Sequence, residues 1–425
     1  MALDLVPVWT LLLGLAVFYY VVFDGFDLGV GILYGLVPDP ESRPAVMSSI
    51  APIWDGNETW LVVAGGATFA AFPAWYASMF SGFYIALLLV LFFLIIRVVS
   101  FEWRTKSTSP RWRRVWLWAN SVGSYGAALI WGVGLSNLLY GVPLDSNGDF
   151  TGTFWDLFSP YTVLAGVTVI ALFAFHGATF LTLRATGAFL DRVGRTARVL
   201  SLPALVLGVG FLATTVGVAM DRNDKDLFPP VLPAALGIAA ILLAALFVRT
   251  RSGWAFAMTA LGTVATVVTL FTSLYPRVMV SDPNFGNSLT VDSASSAHYT
   301  LAVMSVVALL SVPVVLLYQA WTYRVFRHRI EADEPAHELP EPDRRRADAQ
   351  GARQLPDRDR ERGPGRRRER AARPRQRRDE AREGREAGAL RRSEGHAEGE
   401  GGAGPGAARR SRRAARGGRR EDQGP

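Results

Sequence analysis

The chain has 425 residues, half of them hydrophobic, and a formal net charge of +8. It contains no cysteine, which excludes disulfides, thiolate catalysis, Cys-ligated zinc and iron–sulfur clusters. Residues 331–425 hold 26 arginines and 20 acidic residues, so the basic excess belongs mostly to that segment and is no signature of nucleic-acid binding. A positive mean hydropathy despite this charged segment points to an integral membrane protein followed by a polar tail.

A spanning helix needs about 20 mostly apolar residues. In chain order the expected spans are 8–36, 57–74, 76–98, 115–140, 160–184, 199–220, 231–249, 254–275 and 298–323. The first is too long for a cleaved signal and lacks a basic segment ahead of it, so it is expected to remain as a helix. The second is short and glycine-rich, which leaves eight spans as the alternative to nine.

The connections discriminate between these counts. Arg97, Arg104, Lys106, Arg111, Arg113 and Arg114 crowd one loop; Arg184, Arg192, Arg195 and Arg198 another; Arg249 and Arg251 a third; and Arg324, Arg327 and Arg329 follow the last span. These are every second connection, while the intervening loops are poor in basic residues. The positive-inside rule then places the N-terminus outside and the C-terminus in the cytoplasm, which requires an odd number. The expected fold is all-α and polytopic, with about nine transmembrane helices. An echo between "FDGFDL" (23–28) and "FHGATFL" (175–181) suggests two four-helix bundles plus one peripheral helix.

Residues 1–330 form the expected membrane domain. Residues 331–425, rich in Arg, Glu, Gly and Ala and almost without aromatics, cannot bury enough apolar surface to fold and are expected to be a disordered cytoplasmic tail. That composition suits contact with anionic lipid headgroups. A shifted reading frame in GC-rich DNA produces it equally well.

Within the spans, carboxylates are costly and mark function. Asp24 and Asp27 share one helical sector with Gly31 and Gly35, where small residues let another backbone approach. Asp55 and Glu58 are again three apart, in "WDGNETW". They also suit a helix start, because Pro52 precedes them and acids stabilise a first turn. The topology brings both pairs to the cytoplasmic half, where four carboxyls form an acidic entrance of the kind a proton relay requires. Arg97, the most deeply placed base, is positioned to pair with one of the acids or to snorkel. His176 is the one histidine well inside a span. It is a candidate haem or quinone ligand, or else an interhelical hydrogen-bonding group. A single membrane histidine cannot supply a bis-histidine haem, and Met79, Met220 and Met304 suit packing better than axial ligation.

Taken together, "FDGFDLGVGIL", "IAPIWDGNETWLVVAGGATFAAFP", "YASMFSGFYIALLLVLFFLIIR", "SNLLYGVP" and "VVLLYQAWTYRVF" resemble subunit II of the cytochrome bd-type quinol oxidases, over roughly residues 1–328. The resemblance implies a heterodimer with a larger subunit I that carries haem b, haem d and the quinol-oxidising loop. It implies a complex that oxidises quinol, reduces dioxygen to water and draws protons from the cytoplasm without pumping. In that setting Asp55, Glu58 and Asp24 are proton-transfer candidates, and Asp27, Arg97 and Trp54 support the haem site. No residue of this chain is catalytic and no metal is held here. A structural quinone, a small accessory subunit and membrane lipid are further candidate partners, and the location is the bacterial cytoplasmic membrane. Without the resemblance, the residues fit equally a proton-coupled secondary transporter or a membrane assembly scaffold.

Overall fold

The computed structural model describes residues 4–36 and 42–330; the expected tail, 331–425, lies outside the described residues. The helices are α1 (Leu5–Tyr34), α2 (Ser42–Ile50), α3 (Trp54–Ala71), α4 (Pro73–Gly82), α5 (Tyr84–Trp103), α6 (Pro110–Tyr140), α7 (Pro160–Arg184), α8 (Gly187–Arg222), α9 (Val231–Phe247), α10 (Ser252–Leu274), α11 (Val291–Ala294) and α12 (His298–Val325). Two short strands, β1 (Arg277–Met279) and β2 (Leu289–Thr290), pair antiparallel between α10 and α11. The architecture is that of an all-α polytopic membrane protein.

Local chemistry sets the helix ends. Asp4 caps α1 by accepting from the Val6 amide at 3.1 Å. At the start of α7 the Ser159 hydroxyl accepts from the Thr162 amide, the Thr162 hydroxyl accepts from the Ser159 amide, and Pro160 takes the first helical position.

Among the described residues, α1, α5, α6, α7, α8, α10 and α12 are long and apolar enough to cross a membrane. Two expected spans fall outside that set: α9, at 17 residues, and α3, at 18. The expected span 76–98 is corrected in its bounds, because it straddles α4 and α5. Pro73, which has no N–H to give, begins α4, and the helix then breaks at Phe83, where φ is −98° and ψ 18°. The Phe83 amide still reaches the Met79 carbonyl and the Leu87 amide the Phe83 carbonyl, so two backbone bonds bridge the break. A uniformly apolar run does not signal such a break.

Helix α1 is the centre of the packing, with α3, α6 and α7 around it and α10 behind. At its crossing with α7 the backbones touch. A Cβ on Gly29 would lie 1.8 Å from the Phe173 carbonyl oxygen, and one on Gly177 would lie 2.5 Å from the Gly29 carbonyl carbon. Such contact gives helices close packing where lipid offers no hydrophobic drive to associate. Gly29→Val is therefore expected to destabilise the protein by more than the ~1–3 kcal/mol usual for overpacking. The control is Gly14→Val on the same helix, where a Cβ meets nothing within 4 Å. Thermal unfolding in detergent should separate the two.

At the end of the molecule where α1 begins, the 141–159 and 275–297 connections fold together. The Val142 amide donates to the Val280 carbonyl, the Val280 amide to the Leu138 carbonyl and the Asp282 amide to the Val142 carbonyl. Arg222 lies 2.6 Å from Asp282 and 3.9 Å over the Tyr140 ring. Outermost in the bundle is α12, with only Leu301 and Gln319 buried.

Candidate functional site

The acids of α1 face inward because the glycine-lined crossing leaves that helix no lipid-facing side at this depth; residues 24–34 are buried without interruption. Asp24 and Asp27 are both fully buried, as is Arg97, which reaches in from α5. Arg97 Nη1 lies 3.4 Å from Asp24 Oδ1 and 3.8 Å from Glu58 Oε2. A single guanidinium nitrogen thus joins α1, α3 and α5. The Arg97 ring of contacts is closed by Phe101, whose face lies 5.8 Å from the guanidinium carbon.

Asp27 takes a different partner. Its Oδ2 accepts from Asn57 Nδ2 at 2.7 Å, while the Arg97 contacts go to Asp24 and Glu58. Asp55 does not join the cluster. It is exposed in the first turn of α3, one turn before Glu58, so the helix-start reading describes its local geometry. Trp54 packs edge-on against Phe101, with centroids 5.6 Å apart, and so backs the Arg97 side of the site.

One guanidinium compensates one carboxylate. Asp24, Asp27 and Glu58 are three carboxyls around Arg97, and uncompensated charge is expensive to bury. A neutral cluster therefore carries protons as well as the arginine. Several of its polar atoms have no protein hydrogen-bond partner: Asp24 Oδ2, Asp27 Oδ1, Glu58 Oε2, Arg97 Nε and Arg97 Nη2. Buried polar atoms in this state are what ordered water serves. The arrangement can hold, accept and pass protons.

His176 is fully buried on α7. Its Nε2 lies 3.1 Å from the Val22 carbonyl and its Nδ1 2.7 Å from the Thr259 hydroxyl, and the ring stacks on Phe256 at 4.8 Å. Both ring nitrogens have protein partners, so this residue does not fit a haem ligand while those bonds stand. It ties α7 to α1 and α10.

Sequence reasoning missed Asn57, Trp60, Gln319 and Tyr323. Tyr323 Oη and Gln319 Nε2 both donate to Asn57 Oδ1, at 2.7 and 3.2 Å. The available signal was that Gln319 is the lone amide in an otherwise apolar last span.

Beside the cluster lies a cavity of about 670 Å³ between α1, α3, α4, α5, α6, α7 and α10, lined almost wholly by apolar groups. Tyr20, one turn before Asp24, lines it together with Trp75 and Trp131. The two indole N–H groups are buried and have no protein acceptor, while the buried Tyr20 hydroxyl faces Asp24.

The family model described as cytochrome bd terminal oxidase subunit II matches residues 5–326. The chain belongs to that family, whose members are subunits of a membrane oxidoreductase complex. It is 38% identical over 334 residues to the cytochrome bd ubiquinol oxidase subunit 2 of Bacillus subtilis, covering 77% of this chain and 97% of that one. It is also 38% identical over 350 residues to the cytochrome bd-I ubiquinol oxidase subunit 2 of Escherichia coli K12, covering 74% and 92%. Among solved structures, that of a bd oxidase from Geobacillus thermodenitrificans superposes with a TM-score of 0.63 at 15% identity, over 76% of this chain and 99% of the other, a likeness of fold.

Proposed function

We propose that this chain is the second subunit of a quinol oxidase that reduces dioxygen to water in a bacterial cytoplasmic membrane, and that it supports the assembly of a haem-bearing subunit I and supplies its protons. Family membership over residues 5–326 carries the reading. In it α3 and α9 complete nine crossings, arranged as two four-helix bundles with α12 outside, and the arginine-rich connections lie in the cytoplasm. Haem b and haem d sit on the partner. Protons enter past Asp55 at the mouth, reach Glu58, and move on through Asp24 and the water held by the orphaned atoms around Arg97. Asp27, Arg97 and Trp54 keep that region in register against the partner's haem site.

The large cavity suits a structural quinone. Its walls match an isoprenoid body, and Trp75 and Trp131 offer donors to the acceptor oxygens of a quinone ring. Residues 331–425 are outside this work cycle.

The visible spectrum tests the reading. Purified with its partner, the complex should show haem bands and consume oxygen with quinol, while this chain purified alone should carry no stoichiometric haem. A haem-free native complex would return the chain to the transporter class. Haem on the isolated chain would overturn the division of labour between subunits.

A further inference from the structure

One indole and two amides form a chain that runs through the outermost helix to a buried acid. Trp60 Nε1 on α3 donates to Gln319 Oε1 on α12 at 2.8 Å. Gln319 Nε2 donates to Asn57 Oδ1 on α3 at 3.2 Å, and Asn57 Nδ2 donates to Asp27 Oδ2 on α1 at 2.7 Å. A carboxamide alone can face either way, since its oxygen accepts and its nitrogen donates. An indole N–H can only donate. Trp60 therefore requires the oxygen of Gln319 to face it. That turns the Gln319 nitrogen toward Asn57, which in turn aims the Asn57 nitrogen at Asp27. Reversing any link would set two donors or two acceptors against each other in a buried place, and such a mismatch leaves a polar group unmade. Tyr323 also donates to Asn57 Oδ1, but a hydroxyl can donate or accept, so it follows the direction that Trp60 sets.

We propose that Trp60, Gln319 and Asn57 are positioning residues that reserve Asp27 Oδ2 as an acceptor, so that any proton Asp27 carries resides on Oδ1. The other oxygen, Oδ1, has no protein partner and is the one open to exchange. The proposal rests on the proton-supply reading and extends it by giving Asp27, beside its supporting role, a proton to exchange: α12, the outermost helix, acts on that carboxyl through an amide rather than through a charge.

The geometry around α12 supports this role. The helix has a thin apolar seam with the bundle, with Leu301 buried and Met304, Ala308 and Leu316 half-buried, and Gln319 is its one buried polar residue. It is fixed at its two ends, by Trp9 Nε1 donating to the Leu301 carbonyl and the Ser305 hydroxyl at one, and by Gln319 and Tyr323 at the other. Trp60 itself is held by stacking on Tyr19, with centroids 4.4 Å apart and an interplanar angle of 17°, which keeps its N–H directed at Gln319.

The groups whose titration bears on Asp27 are Asp24 on α1, Glu58 on α3, Arg97 on α5 and Tyr323 on α12. The nearest titratable side chain of α7 is His176, bonded to the α1 backbone at Val22. A pH profile therefore reports the whole cluster, and the test has to isolate the chain. Trp60→Phe keeps the ring stack and removes the donor. Gln319→Met removes the relay and leaves Trp60 in place. Each variant, and the double variant, is prepared in the complex with its partner and read for haem content and for quinol-driven oxygen consumption against pH. The expected result is near-normal haem with the inflection of the profile displaced by about half to one pH unit, in the size range of one buried hydrogen bond. The displacement should be the same in the double variant as in each single one, because all three break one chain. An unmoved profile in both single variants overturns the proposal, as does additivity in the double. Loss of haem in both, with the residual activity keeping its wild-type profile, also overturns it and makes the chain a structural tie. A wild-type complex without oxidase activity would instead sink the function on which the proposal rests.

Discussion

Arg97→Gln is expected to remove most of the assembled complex. The guanidinium is fully buried and one of its nitrogens serves both Asp24, at 3.4 Å, and Glu58, at 3.8 Å. Glutamine is too short and carries no charge, so the change leaves Asp24 buried beside uncompensated carboxyls. Breaking a buried pair by removing one partner costs about 3–5 kcal/mol, a large part of the stability of most proteins. Yield of purified complex, haem per complex and thermal unfolding in detergent should fall together. The control is the compensating change. Asp24→Asn removes the charge that Arg97 was matching, so Arg97→Gln combined with Asp24→Asn should recover more than half of the lost yield. A single Arg97→Gln variant with wild-type stability would mean that the pair contributes nothing net. Failure of the double variant to recover would mean that Arg97 acts through Glu58 or Phe101 rather than through Asp24.

The second large effect falls on turnover. Glu58 is the half-exposed member of the cluster, with its side chain at 21%, and it stands between the exposed Asp55 and the buried Asp24. Glu58→Gln keeps the shape and most of the hydrogen-bonding capacity but cannot carry a proton. If Glu58 is the step between water and the buried acids, oxygen consumption should fall by about 10²-fold, the lower end of what one positioned acid–base group supplies. Haem content should stay normal, because the Arg97–Asp24 contact survives. Asp55→Asn should slow turnover only several-fold and most visibly at low salt, since an exposed carboxylate gathers protons by its field and is readily screened. Full turnover of Glu58→Gln across neutral pH would remove the relay and leave the acids of α3 as residues of a helix start.

Much of this site could be read from the chain. The spacing of Asp24 and Asp27 put both on one face with Gly31 and Gly35, and that face is buried as expected, with the Ser121 hydroxyl of α6 donating to the Gly31 carbonyl at 2.9 Å. Glycine beside acid was informative because only close helix packing rewards it in a membrane. The meeting of Arg97 with an acid was legible too, though not which acid. That choice depends on how far the Arg97 side chain reaches past Glu58, a tertiary distance with no local signature. Asn57 lay in plain view within "WDGNE" and was read only as part of a helix start. Its significance comes from Gln319, 262 residues later, and nothing in the local pattern of either residue specifies the other. The break at Phe83 was hidden for a related reason. Hydropathy reports the solvent around a segment, not the backbone angles within it.

The order in which the chain is made gives the attachment of α12 another meaning. Asp24, Asp27, Glu58 and Arg97 all lie on helices synthesised early, so the charged cluster can form while later helices are still emerging. The surroundings of Asp27 cannot, because Gln319 and Tyr323 arrive with α12, the last helix of the described residues. Until then Asn57 lacks the two donors that hold its oxygen. A chain halted after α10 and before α12 would hold the charged cluster while the Asn57 oxygen still lacked its donors. Docking of α12 is then what completes the hydrogen bonding of Asn57, and through it the surroundings of Asp27.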